Sequence, residues 1–448
     1  MPTFPIPPNN NRLGFHYFPD SNHFRESDLH LWLPRLRSLG VTWLTLVAPS
    51  TRAIPELFLN GLHSEGIESI LHFPFSLDSA LKAQDFQSLF SAYSRWGVHY
   101  VVFFDRPNSR VAWLTTAWMQ NDLVERFLDR FLPLADVALE LGLNVVFPPL
   151  APGGDYWDTS FLLVALKSIE RRGNYRLLEN LVLSAYAFAG ARPLDWGRGG
   201  PERWPAARPY FTPSGSQDQR GFCISDWYIT TAQAVTGQAN PLMLFGLGNH
   251  SSDLDSSQLD ENTHTQRILA MAQALAFQDK SEGAGKTFTE SIEPLPPQVL
   301  CGNFWLLASD PKSQYLSETW FQSNGDQLPV VRAFRQFVVD LERAHAISGQ
   351  KNLGSNHRSH PISHYLLLPS FDWGVSDWHL TVARPFIKKY LPTVGFSLAE
   401  AALASRITVI GSAEDFPEAV LDTLRTAGCQ VEQISGDGMS IATKLADR

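Results

Sequence analysis

The residues of this chain with the most chemical potential lie at the end of an apolar run, Val101-Val102-Phe103-Phe104-Asp105-Arg106-Pro107-Asn108. A carboxylate placed there can accept or return a proton, or pair with a cation. The adjacent guanidinium can only pair or donate hydrogen bonds, because its pKa lies above about 12. Acid/base work by Asp105 needs a second carboxylate, and Asp155, Asp253, Asp255 and Asp310 follow other apolar runs. The plainer alternative is an Asp105–Arg106 ion pair, with the other aspartates at the surface. In a regular strand Asp105 and Arg106 point to opposite sides, and a one-residue bulge is needed to bring Asp105 round. His16 and His250 stand at the ends of similar runs, as hydrogen-bonding groups or as satisfied structural histidines.

Other constellations fail on spacing. Gly285-Lys286-Thr287 lacks the earlier glycine and the leading strand of a phosphate loop, and Gly246-Leu247-Gly248 lacks the third glycine of a dinucleotide fingerprint. There is no Gly-x-Ser-x-Gly elbow. Cys223, Cys301 and Cys429 are too far apart for a disulfide framework or a metal knot. His357, His360 and His364 cluster without a paired carboxylate or cysteine, which favours a solvated segment over a metal site. The sequence therefore implies no metal and no cofactor. A net charge of −9 argues against nucleic acid and anionic membranes. No apolar run is long enough to span a bilayer, and the first residues lack the basic and apolar regions of a signal peptide, so the chain as written is expected to be cytoplasmic, or extracellular if a leader has been trimmed. Thirteen Trp, 11 Tyr and 29 Phe exceed what packing usually needs, although most must be core.

These groups need elements to position them. Strands are expected at 13–18, 42–48, 69–73, 100–104, 145–148, 181–186, 242–245 and 299–307, each followed by a helical pattern. Gly40, Gly66, Gly97 and Gly142 stand where left-handed helix caps belong. Eight such units over the first 345 or so residues predict a (β/α)8 TIM barrel in 1–347, and its rival is a doubly wound open sheet. Polar residues 348–363 read as a linker. Residues 364–448 alternate as a small α/β layered, flavodoxin-like domain. The long segments 193–221 and 249–262 follow the sixth and seventh strands, as rims or lids of a site or as mere insertions.

The barrel segment resembles the clan-A glycoside hydrolases. The resemblance rests on Gly14-Phe15-His16-Tyr17, Asp105-Arg106-Pro107-Asn108, Ala185-Tyr186, the run Ala232 to Gly248, and Asn303-Phe304-Trp305. It implies a carbohydrate or cell-wall polymer as partner, with Tyr17, Trp113, Tyr186 and Trp305 stacking on sugar rings. His16, Asp105, Arg106, Asn108, Asn249 and His250 would supply hydrogen bonds. The family pattern at the fourth strand is Asn-Glu-Pro and at the seventh Thr-Glu-x-Gly, two carboxylates about 5 Å apart for double displacement. Here those slots hold Arg106 and Gly246, which implies a degenerate, carbohydrate-binding pseudoenzyme. Two alternatives stay open. One is an active hydrolase with relocated carboxylates, Asp105 being the weak candidate, in an inverting geometry of roughly 6.5 to 9.5 Å. The other is a non-catalytic assembly protein. Residues 406–448 also resemble a bacterial cell-wall-binding repeat, a pattern that equally fits any flavodoxin-like βα unit.

Overall fold

A computed structural model describes residues 4–79, 81–113, 115–248, 260–277, 292–322, 327–354, 362–371, 374–375, 377–426 and 428–446. The chain divides into two compact units, Met1–Leu341 and Glu342–Arg448. In the first, strands β1 (Leu13–His16), β2 (Trp43–Val47), β3 (Glu68–Phe73), β4 (Tyr100–Phe103), β5 (Asn144–Val146), β6 (Leu183–Tyr186), β7 (Leu242–Leu247) and β8 (Val299–Phe304) pair in parallel. Each precedes a long helix: α1 (Glu26–Ser38), α2 (Glu56–Ser64), α3 (Gln87–Arg95), α4 (Leu123–Glu140), α5 (Asp158–Arg171), α6 (Ile224–Thr236), α7 (Glu261–Ala276) and α8 (Pro329–Gly354). The sheet order β5-β4-β3-β2-β1-β8-β7-β6 leaves β5 and β6 as ends, and these meet. Phe147 N–H donates to the Val182 carbonyl at 2.8 Å, and Val182 N–H donates to the Val145 carbonyl at 3.1 Å. That contact closes the ring as a TIM barrel and removes the open-sheet alternative.

Strand alternation sorts the side chains. Inward-facing Trp43, Ile70, Tyr100, Val102, Val146, Val182, Met243, Phe245 and Cys301 form one buried cluster. Outward-facing Phe73 and Phe103 pack with Phe90 of α3, while Phe127 and Phe131 of α4 enclose Phe147. Much of the phenylalanine excess is thus a layer between barrel and helices. Gly40, Gly66, Gly97 and Gly142 all take positive φ just past helix ends. At the N-terminal end of the barrel, Trp43 Nε1 donates to Asn10 Oδ1 at 2.7 Å, and the Tyr100 hydroxyl donates to the Pro5 carbonyl at 2.5 Å.

The expected linker 348–363 is corrected in its first half. Helix α8 runs through Gly354, because a helix already nucleated on its buried N-terminal turns extends over polar residues at little cost. Among the described residues, no helix is long and apolar enough to cross a membrane.

In the second unit β9 (Ile362–Leu367), β10 (Thr393–Gly395), β11 (Ala404–Ile410) and β12 (Gln430–Ile434) form a parallel sheet of order β10-β9-β11-β12. Helices α9 (Asp377–Tyr390), α10 (Leu398–Ala401), α11 (Glu418–Thr426) and α12 (Gly438–Ala446) connect or follow them. Tyr365 and Leu367 enter one apolar cluster with Ala401 and Leu421, and Leu366 and Leu368 enter another with Phe386 and Ile441. Both sheet faces are therefore covered, as parallel strands require. The segment likened to a cell-wall repeat supplies β11, α11 and β12. His364 lies on β9, where its Nε2 is 2.9 Å from Thr408 Oγ1. His357 and His360 lie outside the described residues.

Candidate functional site

Strand ends β1, β3, β4, β6, β7 and β8 bring a polar and aromatic group together at the C-terminal mouth of the barrel. At β4 the backbone breaks its alternation. Phe104 and Arg106 both take positive φ, 67° and 44°, conformations that cost a non-glycine residue about 1–2 kcal/mol. The turn at Phe104 sends its ring outward against Phe127 instead of inward. Its carbonyl lies 2.8 Å from His72 Nε2, which fixes that nitrogen as the donor. Arg106 N–H donates to the Pro149 carbonyl at 3.0 Å.

The result differs from a regular strand: Asp105 and Arg106 reach the same partner. Asp105 Oδ1 accepts from the Tyr186 hydroxyl at 2.8 Å, and Asp105 Oδ2 accepts from Arg106 Nε at 3.0 Å and pairs with its terminal nitrogen at 2.9 Å. The guanidinium carbon of Arg106 lies 5.6 Å from the Tyr186 ring centre, within cation–π range. Burial, reinforced by the charge on Asp105, holds the Tyr186 phenol well above its ordinary pKa, so it serves as a donor. Arg106 remains about half exposed.

Across the mouth, His16 is buried and its Nε2 accepts from Gly246 N–H at 3.1 Å, which assigns the proton to Nδ1. Burial, with a smaller contribution from His72, pushes the His16 pKa down to about 3. His72 is lowered too, by burial first and Arg106 last, against opposing contributions from Asp105 and the Phe104 carbonyl. Both rings are neutral at ordinary pH. Gly246 lies at φ 69°, and a Cβ there would stand 2.5 Å from Phe188 Cε1 and 3.1 Å from Tyr186 Cδ1. Phe188 stacks on Tyr186 with ring centres 4.9 Å apart. Any side chain at position 246 therefore meets an aromatic pair.

Trp305 is half-buried beside His16 and Tyr315, and its indole N–H donates to Glu318 Oε2 at 2.7 Å. His72, Phe188, Tyr315 and Glu318 were not singled out from the sequence. His72 had a readable signal, since it continues the inward register of Ile70. Glu318 had none, because it ends a short 3-10 turn, Leu316–Glu318, between β8 and α8.

The structure does not bring every expected site residue to the mouth. Tyr17 is corrected to a core residue: it is 1% exposed and packs against Phe18, Phe24, Trp32 and Phe58, because alternation after inward His16 turns it outward. Trp113 is also corrected. It is buried, donates to the Pro107 carbonyl at 2.7 Å, and carries the cations of Arg126 and Arg130 beside its ring. Asn108 is fully buried and spends its amide on backbone. Its Nδ2 donates to the Ala151 and Tyr156 carbonyls at 2.8 and 2.9 Å, and its Oδ1 accepts from Ala151 N–H at 2.8 Å. It ties the β4 end to the loop after β5. Asn108→Ala strands buried partners and is expected to cost about 2 kcal/mol, read from urea unfolding. Asp155 Oδ2 accepts from Arg110 N–H at 2.8 Å. Asn249, His250, Asp253, Asp255 and Gly285-Lys286-Thr287 lie outside the described residues.

The loop 193–221 is pinned rather than loose. Asp158, fully buried on α5, accepts from Gly153 N–H, from Gln219 Nε2 at 2.5 Å and from the Tyr228 hydroxyl at 3.0 Å. Burial outweighs these donors and pushes its pKa up to about 6.

No family model matches the chain, and no curated protein matches it. Among solved structures it is similar to a monomeric β-xylosidase from Caulobacter crescentus CB15, with a TM-score of 0.44, 12% identity, and coverage of 74% of this chain and 68% of that one. It is similar to a β-galactosidase from Marinomonas ef1, with a TM-score of 0.43, 10% identity, and coverage of 95% and 75%. It is also similar to xylanase 10B from Thermotoga maritima, with a TM-score of 0.43, 9% identity, and coverage of 75% and 97%.

Proposed function

We propose that the first unit is a glycoside hydrolase-like barrel that binds a saccharide or wall polymer at its C-terminal mouth without double-displacement hydrolysis. One observation carries this reading: both slots that would hold catalytic glutamates in the resembled family are taken up otherwise. Arg106 is locked to Asp105 over Tyr186, and the space beside Gly246 is filled by Phe188. An arginine cannot protonate a leaving group, and glycine cannot attack an anomeric carbon. What remains at the mouth suits a polyhydroxylated ligand. Trp305 and Tyr315 offer apolar ring faces, and the Arg106 guanidinium with the carboxylates of Asp105 and Glu318 offers donors and acceptors.

The test is a glycan array followed by titration of any bound glycan. Trp305→Ala and Arg106→Ala are each expected to weaken binding at least about tenfold, the loss of one or two charge-assisted or stacking contacts. Absence of binding to every glycan, or unchanged binding in both variants, overturns the proposal and leaves an assembly role for the barrel. Glu318 favours one second reading, since it places a second carboxylate beside Trp305 at the mouth. Turnover of aryl glycosides that disappears in Asp105→Asn and Glu318→Gln would establish that reading instead.

A further inference from the structure

A second cluster, sharing no residue with the Asp105–Arg106 group, sits on the loops that follow the adjacent strands β1 and β8. Asp20 and His23 come from the first loop and Asp310 from the second. One ligand atom from each lies within 4.8 Å of the other two. His23 Nε2 is 3.6 Å from Asp20 Oδ2 and 3.4 Å from Asp310 Oδ1, is itself buried, and has no hydrogen-bond partner. The parts are held in place. The His23 ring stacks on Phe18 with centroids 3.8 Å apart, and Asp20 Oδ1 accepts from Asn22 N–H at 2.8 Å, leaving Oδ2 turned toward the histidine. Beside the cluster lies a cavity of about 150 Å³ lined by Phe18, His23, Asp28, Trp32, Ser309 and Asp310. The Tyr17 hydroxyl, buried and also without a partner, lies in the field of Asp28 and Asp20.

We propose that Asp20, His23 and Asp310 bind one divalent transition-metal ion of the zinc class, with a fourth position open toward this cavity. A simple ion pair accounts poorly for the geometry. A protonated imidazole between two carboxylates closes to about 2.7–2.9 Å on one of them. Here both gaps are wider and nearly equal. With metal–ligand bonds of about 2.0–2.2 Å, the edge of a coordination tetrahedron is roughly 3.3–3.6 Å, which is the spacing around Nε2. One imidazole with two carboxylates selects zinc-like ions over magnesium or calcium, which prefer oxygen ligands throughout. Three protein ligands and an open position facing a cavity describe a site able to hold a water or a ligand oxygen on the metal. No spacing in the sequence joins Asp20 and His23 to Asp310, which lies at the other end of the barrel's sequence.

The experiment is calorimetric titration of the full chain with Zn²⁺ alone, paired with visible absorption after Co²⁺ addition. Wild type is expected to bind one equivalent and to give the intense visible bands of tetrahedral cobalt. His23→Ala and Asp310→Asn are each expected to weaken zinc binding at least about tenfold and to lose those bands, as removal of one of three ligands requires. Asp310 is exposed, so Asp310→Asn keeps the fold, and metal-free thermal melts verify this for both variants. The proposal is overturned if wild type binds no stoichiometric zinc, or if either variant retains wild-type affinity. Neither result bears on the glycan test, which reads different residues.

Discussion

Gly246→Glu is expected to destabilise the barrel by about 4 kcal/mol and to yield no glycosidase, alone or combined with Arg106→Glu. Two costs add. Position 246 has φ 69°, which a side chain with a Cβ adopts at about 1–2 kcal/mol. Its Cβ would also stand 2.5 Å from Phe188, and relieving that clash means breaking the Tyr186–Phe188 stack, an overpacking of about 1–3 kcal/mol. Gly246→Ala carries the same two costs without a charge, so it should lose nearly as much stability in urea unfolding. Phe188→Ala frees the space, and the double variant Gly246→Ala/Phe188→Ala should then recover about 1–2 kcal/mol relative to additivity. A neutral Gly246→Ala would show that the slot is open after all. In that case a glutamate at position 246 would be a substitution the fold could accept.

Much of the barrel was legible because its signals are local. Eight apolar runs, each closed by a helix and often by glycine, locate the strands to within a few residues, and alternation within β2 or β3 sorts the barrel interior from the layer facing the helices. Polarity at residues 348–354 reads as a linker, whereas α8 needs only continuity to extend over them. The mouth was legible in part. Asp105, Arg106, Tyr186, Trp305 and His16 were found because each ends a strand. Tyr17 was misplaced although alternation after inward His16 already turns it outward, whereas Trp113 lies past its strand, where no periodicity tells whether the ring faces the mouth or a helix. The meeting of Asp105 and Arg106 on one tyrosine was out of reach. It depends on left-handed backbone at Phe104 and Arg106, which no side-chain pattern announces. Glu318 and the Asp20–His23–Asp310 cluster were invisible for another reason: their neighbours are set by barrel closure, which joins segments far apart in sequence.

Acidification from about pH 7 to about pH 4 is expected to remove about 3 kcal/mol of the stability that depends on His16, while Asp158 contributes with the opposite sign. His16 has a folded pKa of about 3 against an unfolded value near 6.5. Between those values the unfolded chain binds the extra proton, so stability falls as pH falls through that window. At about 1.4 kcal/mol per unit the full loss approaches about 5 kcal/mol once the folded pKa is passed. Buried His72 adds in the same direction. Asp158 behaves oppositely, because its pKa rises to about 6 on folding from an unfolded value near 3.9. There the native state binds the extra proton, so stability rises as pH falls through that window, by about 2–3 kcal/mol at about pH 4. These two contributions oppose each other in wild type, and variants are needed to expose them separately. His16→Gln keeps an acceptor for Gly246 N–H but has nothing to titrate. The stability of wild type minus that of His16→Gln should shrink by about 3 kcal/mol between about pH 7 and about pH 4. Asp158→Asn keeps acceptors for Gly153 and Gln219, and the corresponding difference should grow by about 2–3 kcal/mol over the same range. Urea unfolding of the three proteins at both pH values reads these differences directly. If both differences stay constant with pH, neither His16 nor Asp158 is held in the protonation state that its burial dictates.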